Sequence, residues 1–191
     1  DRLIGADSIA ALAPRARVGT SSPRRTAQLL HLRPDLEITL FRGNVATRLG
    51  KLEAGEADAT LLAAAGLDRL GMGDVGAAIA QDEMLPAPAQ GAIGIETLGA
   101  NDRIRALLSA INNVSTFRCV MAERAFLAAL NADCHSPVGA QARMEGNALI
   151  IRGEILMPDG SMVEAGESDD PAALALALLD RASPELRAIF G

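Results

Sequence analysis

The sequence predicts an α/β fold in two parts. A βαβ region on a parallel-rich sheet comes first, followed by a small α+β module with a three-stranded antiparallel sheet and helices on one face. Three observations predict it. Over the first ninety residues, short apolar runs alternate with amphipathic stretches of helical length, the pattern of parallel strands joined by crossover helices. Leu85-Pro86-Ala87-Pro88-Ala89-Gln90-Gly91 then interrupts regular structure with two prolines and a glycine. After Pro137 the apolar spacing changes to that of strands, separated by Gly146-Asn147 and Pro158-Asp159-Gly160, both turn-forming.

Taken in order, Ser8 is placed to cap a short helix ended by Pro14, and 15–19 reads as the first strand. Ser22 followed by Pro23 starts a helix over 23–32: a side-chain oxygen meets free amides, and the ring suits the first helical position. A strand over 37–41 and a helix over 45–54, capped by Asn44, repeat the arrangement. The apolar run 60–65 leads into a helix closed by Gly71. Beyond the proline-rich boundary, 92–96 reads as a strand, 102–111 as a helix and 116–130 as a longer helix with Cys119 at a core position. The tail reads as strands over 138–145, 148–157 and 161–167. A last amphipathic helix starts at Asp170-Pro171 and runs to about Ala182.

Both early strand-to-helix junctions carry arginines. Arg24 and Arg25 sit on the first turn of one helix; Arg42 precedes Asn44, and Arg48 lies one turn inside the next. Free amides, hydroxyls and arginine forks at the carboxyl ends of parallel strands describe a cradle for carboxylates or phosphates. Arg69 approaches the same edge. Any one of these arginines also reads as an ordinary solvated surface charge. Charge distribution favours the cradle: residues 15–51 hold eight basic residues against two acids, a net of +6 in a chain of net −6. A basic island in an acidic protein points to a focused anion site.

Four Phe, no Trp and no Tyr argue against stacking on single-stranded nucleic acid, and the acidic balance argues against gripping a DNA backbone. No apolar run has bilayer-spanning length. Two cysteines in 191 residues make no disulfide framework, which points to a reducing, cytoplasmic setting. Cys119, Cys134, His31 and His135 have no recurring ligand spacing, so no metal is expected. On spacing alone Cys134 reads as an ordinary loop thiol, and its neighbour His135 as a poor partner for nucleophilic catalysis. Asp58, Asp68 and Glu96 read as solvated acids.

Six stretches stand out along the chain: Gly-Thr-Ser-Ser-Pro-Arg-Arg (19–25), Arg-Gly-Asn-Val-Ala-Thr-Arg-Leu (42–49), Ala-Gly-Leu-Asp-Arg-Leu-Gly (65–71), Leu-Pro-Ala-Pro-Ala-Gln-Gly-Ala-Ile-Gly-Ile-Glu (85–96), Ala-Glu-Arg-Ala-Phe (122–126) and Asp-Cys-His-Ser-Pro-Val-Gly (133–139). In this order and spacing, across essentially the whole chain, they resemble the porphobilinogen deaminase family. The resemblance implies a transferase of tetrapyrrole (haem) biosynthesis. It would condense four porphobilinogen units into hydroxymethylbilane, releasing ammonia at each step. It also implies a dipyrromethane cofactor joined by a thioether to the loop cysteine, here Cys134. Each pyrrole carries two carboxylates, which agrees with an arginine cradle.

Carried over residue by residue, Arg24, Arg25, Arg42, Arg48 and Arg69 would bind pyrrole carboxylates, with Thr20, Ser21 and Ser22 adding donors. Gln90 and Gly91 would lie at the hinge between domains. Pro88 and Ala89 stand where the family usually has Val and Gly. The resemblance further implies a periplasmic-binding-protein-like second domain over 1–91. Residues 92–112 would be a strand and helix of a mostly missing first domain, and 113–191 the C-terminal α+β domain carrying the cysteine. The family's first domain holds a His-Ser-x-Lys-Asp segment whose aspartate assists deamination. That segment is absent from this sequence. No catalytic acid or base is therefore expected here, the chain alone is expected not to turn over porphobilinogen, and the complete enzyme is expected to be a monomer without nucleic-acid or membrane partners. The other reading is a periplasmic-binding-type carboxylate-binding module without catalysis; it accounts for the cradle but not for the Cys134 loop.

Overall fold

Buried Leu3, Val18, Ala59 and Leu61, all without solvent exposure, are the apolar positions around which the first sheet forms. The computed structural model describes residues 1–191. Its strands are Arg2–Ile4 (β1), Arg17–Thr20 (β2), Glu37–Leu40 (β3), Ala59–Leu62 (β4) and Ala77–Ala78 (β5), ordered β3-β2-β4-β1-β5. β3, β2 and β4 run parallel, and β1 is antiparallel to both of its neighbours. Helices Pro23–Leu32 (α1) and Val45–Glu53 (α2) make the crossovers, and Ala64–Arg69 (α3) follows β4. Each crossover helix starts on the cap its sequence supplies: the Arg25 amide donates to Ser22 Oγ at 3.4 Å, and the Thr47 amide to Asn44 Oδ1 at 2.9 Å. Gly19 is required by close approach, because a Cβ there would run into the ring of fully buried Phe41.

The second unit holds helix Val114–Ala129 (α5), strands Val138–Glu145 (β6), Ala148–Leu156 (β7) and Val163–Ser168 (β8), then helices Pro171–Arg181 (α6) and Pro184–Arg187 (α7). Its sheet is antiparallel in the order β6-β7-β8. Phe126 of α5, Leu130 at its C-cap, Ile151 and Ile155 of β7 and Leu178 of α6 are fully buried together, so both helices cover one face. Gly153 accommodates the Phe126 ring, whose Cζ would lie 2.5 Å from an added Cβ. Burying one such aromatic side chain stabilises by about 3 kcal/mol or more, judged by truncation.

The two units meet where α1 packs on the second sheet. Gly160, at φ +73°, follows β7 and lies directly against Leu30 and His31, and the Ala140 amide donates to Pro86 O at 3.0 Å. Helix Asp102–Ser109 (α4) stands apart with every residue from Gly91 to Arg118 exposed except Leu108. No helix is long and apolar enough to cross a membrane.

Several expectations are corrected. Ser8 closes a turn, accepting the Ala11 amide at 3.1 Å, and no helix forms before Pro14. The carbonyls of Ile9 and Leu12 are taken instead by the Arg33 guanidinium, each at 3.1 Å. The second strand begins at Arg17 because Arg15 adopts φ +60° and gives its amide to Asp35. Residues 92–96 form no strand, since no other strand of the chain lies beside them to complete a ladder. The last strand starts at Val163, because Asp159 Oδ1 holds both the amide and the hydroxyl of Ser161 in a turn. β1, β5 and α7 are additions that the sequence pattern did not announce.

Candidate functional site

Because β2 and β3 are parallel neighbours with Thr20 opposite Leu40, the starts of α1 and α2 emerge side by side at one sheet edge. Strand spacing puts the two junctions about 5 Å apart. Thr20 is buried and its Oγ1 accepts the Ser22 amide at 3.2 Å; Ser21 is exposed and Ser22 half-buried. Arg48 links the junctions: Nε donates to Gly43 O at 3.0 Å, and Nη2 reaches back to Ser21 Oγ at 3.4 Å. Burial and neighbouring Arg25 lower its guanidinium from the ordinary value. Arg42 is exposed beside it, and Arg69 stretches from α3 to Gly91 O at 3.3 Å.

Arg24 and Arg25 face inward. Arg24 Nη2 donates to Asp1 Oδ2 at 2.7 Å, while Arg25 Nη2 and Nε donate to Asp1 Oδ1 and Oδ2 at 2.8 and 3.1 Å. The Asp1 side chain is 2% exposed, so this is a fully desolvated ion triad. Backbone carbonyls complete it: Arg24 Nη1 donates to Leu85 O at 2.7 Å and Arg25 Nη1 to Leu61 O at 3.1 Å. Gln90 joins from the proline-rich segment, giving a hydrogen bond to Asp1 Oδ1 at 2.7 Å and accepting one from Arg24 at 3.2 Å. Gln28 accepts from Arg24 at 2.8 Å and donates to Leu85 O and to Glu154 of β7. Burial lowers Arg24 to about 9 and Arg25 to about 10, so both remain cations at neutral pH. Arg24 Nε is buried without a partner.

The basic island therefore divides by the partner each cation meets. Arg15 pairs with Glu37, Arg17 with Asp58, Arg33 with Asp35 and Lys51 with Glu56, all on the surface. Arg24 and Arg25 hold Asp1, Arg48 reaches Gly43 O and Ser21 Oγ across the junctions, and Arg42 is exposed without a salt bridge. Sequence reasoning missed Asp1, Gln28, Glu123 and Glu154. Gln28 carried a signal, one helical turn from Arg24. Asp1 carried none, because its partners lie more than twenty residues away.

Cys134 is exposed in the loop after α5. Asp133 shapes that loop, its Oδ1 accepting the His135 amide at 2.8 Å and the Ser136 hydroxyl at 3.3 Å. These bonds, the His135 amide first, hold the Asp133 carboxyl below its usual value. A cavity of about 600 Å³ lies between the proline-rich segment, the first half of α5 and β6, and is lined by Gln90, Gly91, Cys119 and Glu123. Its lining includes Cys119 rather than Cys134. Burial, then the Glu123 carboxylate, raises the Cys119 thiol. At about 1.5 Å per residue, the end of α5 that leads to Cys134 lies roughly 15 Å along the axis from Cys119. The donors at the junctions, the Arg48 guanidinium with nearby hydroxyls and amides, suit an acid-bearing ligand, and Cys134 is a free, exposed thiol.

Comparison with known proteins agrees with this chemistry. Residues 1–106 match the family model described as porphobilinogen deaminase, dipyromethane cofactor binding domain. Residues 117–186 match that described as porphobilinogen deaminase, C-terminal domain. A porphobilinogen deaminase of Sphingopyxis alaskensis is 51% identical, the match covering 100% of this chain and 64% of the relative. One of Paracoccus denitrificans is 51% identical over 94% of this chain and 58% of its own length. One of Nitrobacter hamburgensis is 49% identical over 89% and 54% respectively. The chain thus spans somewhat more than half the length of these curated relatives.

Proposed function

The chain belongs to the porphobilinogen deaminase family, and from that premise we propose that it serves a transferase which condenses four porphobilinogen units into hydroxymethylbilane with release of ammonia. The observation that carries the reading is the Arg48 bridge to Ser21, which joins two helix starts into one anion-receiving edge. Arg48 and Arg42 bind and orient the carboxylates of the pyrrole units, with the amides and hydroxyls of Thr20, Ser21 and Ser22 as further donors. Arg24 and Arg25, held on Asp1, keep a positive potential behind that edge, and Arg69 steadies the hinge at Gln90 and Gly91. The Cys134 sulfur would hold dipyrromethane through a thioether, and that group, when bound, supplies the tethered end to which units are added. This chain's residues would hold the growing acid-bearing product in place and keep its charges paired.

The same reading takes residues 1–91 as a periplasmic-binding-protein-like second domain, 92–112 as parts of a first domain and 113–191 as the C-terminal domain. It also takes the enzyme as a cytoplasmic monomer acting on a small-molecule substrate. Exposed Ile93, Ile95, Leu98 and Leu107 support the grouping of 92–112, since such side chains ordinarily pack against another surface.

Intact-protein mass spectrometry with peptide mapping tests the proposal. The expected result is an adduct of two pyrrole rings on Cys134 that disappears in Cys134→Ala. Carboxylate binding without any adduct would favour the non-catalytic binding module and overturn the transferase reading.

A further inference from the structure

Glu123 sits on α5, 7% exposed, with no cation beside it. Its two oxygens have separate tasks. Oε1 accepts the Ala142 amide of β6 at 2.8 Å, and Oε2 accepts the Ala89 amide of the proline-rich segment at 2.5 Å. Ala89 needs such an anchor, because it adopts φ +60°, which an L side chain disfavours. The neighbouring residue is Gln90, whose side chain meets Asp1 and Arg24. A chain of bonds thus runs from α5 through Ala89 and Gln90 to the buried triad.

We propose that Glu123 is a positioning residue through which α5 sets Gln90 against the Asp1–Arg24–Arg25 triad. A carboxylate is the right group because both facing atoms are N–H donors, and only a carboxylate offers an acceptor to each. Glutamine has the same shape but would turn its NH2 toward one of the two amides. Burial raises the Glu123 carboxyl while the amides of Ala142 and Ala89 lower it, as expected for an acid whose charge is met by donors alone. The effect on ligand affinity rests on the carboxylate-binding reading above; the effect on the Ala89–Gln90 segment does not.

The test compares the whole chain with Glu123→Gln, using porphobilinogen as the probe. In the variant, hydrogen exchange at the Ala89 amide should accelerate at least ten-fold while the Phe126 amide in the core is unchanged. Porphobilinogen affinity should fall by about three- to ten-fold. Unchanged exchange at Ala89, or faster exchange with unaltered affinity, overturns the proposal. If the unmodified chain shows no affinity for porphobilinogen, the carboxylate-binding reading fails. The Gln90 side-chain NH2 resonances then decide: a shift in the variant supports the positioning role and an unmoved pair refutes it. Should Glu123→Gln not fold, the unmodified chain decides by titration. The Ala89 and Ala142 amide signals must move together with one midpoint; separate midpoints refute the role.

Discussion

The Asp1 carboxylate meets Arg25 through two bonds, Nη2 to Oδ1 at 2.8 Å and Nε to Oδ2 at 3.1 Å, in a space closed to solvent. Arg24 binds the same carboxylate from the preceding position on α1. Two buried cations sharing one anion are more exposed to its loss than either would be alone. Asp1→Ala should destabilise the fold by about 3 to 5 kcal/mol, the usual consequence of leaving a buried charge unpaired. Urea denaturation measures the loss, and added acetate should restore part of it by occupying the vacated position. Stability unchanged within error would show that the triad contributes nothing.

The arginines of the basic island should separate in a binding experiment. Arg15→Ala removes an exposed pair with Glu37 and should change stability by about 0.2–1 kcal/mol, with porphobilinogen affinity unaltered. Arg48→Ala removes the guanidinium that joins both junctions and should weaken binding ten-fold or more, since a charge-assisted bond contributes about 1.5–3 kcal/mol. Arg48→Lys should rescue little, because an ammonium cannot span Gly43 O and a ligand in one plane. Calorimetric titration of each variant distinguishes these outcomes.

Gly160 and Gly146 both adopt positive φ, +73° and +61°. Their surroundings differ. A Cβ at Gly160 would press on the His31 amide and lie 2.6 Å from Leu30 C, whereas one at Gly146 meets open space. Gly160→Ala should therefore cost about 3 kcal/mol and Gly146→Ala about 1 kcal/mol. Thermal denaturation of the pair isolates the packing of α1 on the second sheet from backbone strain. Equal losses would mean that this packing is easily relaxed.

Glu154 accepts from Gln28 where the two units meet, and burial raises its carboxyl above the ordinary value of 4.5, against the opposing pull of Gln28 and Arg24. A raised carboxyl favours the neutral form in the folded state. Its contribution is therefore fully present below about pH 4.5 and lost as pH rises through the folded value. Glu154→Gln keeps an acceptor for Gln28 and cannot ionise. The variant should gain stability relative to the parent between pH 4.5 and neutrality, read by chemical denaturation across that range. The difference between the two curves removes the opposite slopes of lowered carboxyls such as Asp35 and Asp58.

Local chemistry determined a good deal by itself. Ser22-Pro23 and Asn44 start helices because caps and proline act within a few residues, and α1 and β6 have the bounds that the pattern implied. The Gly-Thr-Ser-Ser-Pro-Arg-Arg stretch and its five companions carried the family, since a motif is a local string. Only tertiary structure decided which arginines are buried on a carboxylate and which stay at the surface. Arg24 and Arg48 both lie near the start of a helix that follows a parallel strand, yet one is turned onto Asp1 and the other toward Ser21. It also decided that 92–96 is no strand and that Glu123 holds Ala89, because a backbone ladder or a buried carboxylate is satisfied by groups distant in sequence. Burial and partnership are properties of the assembled chain, and a guanidinium does not reveal in its own sequence neighbours which anion it will meet.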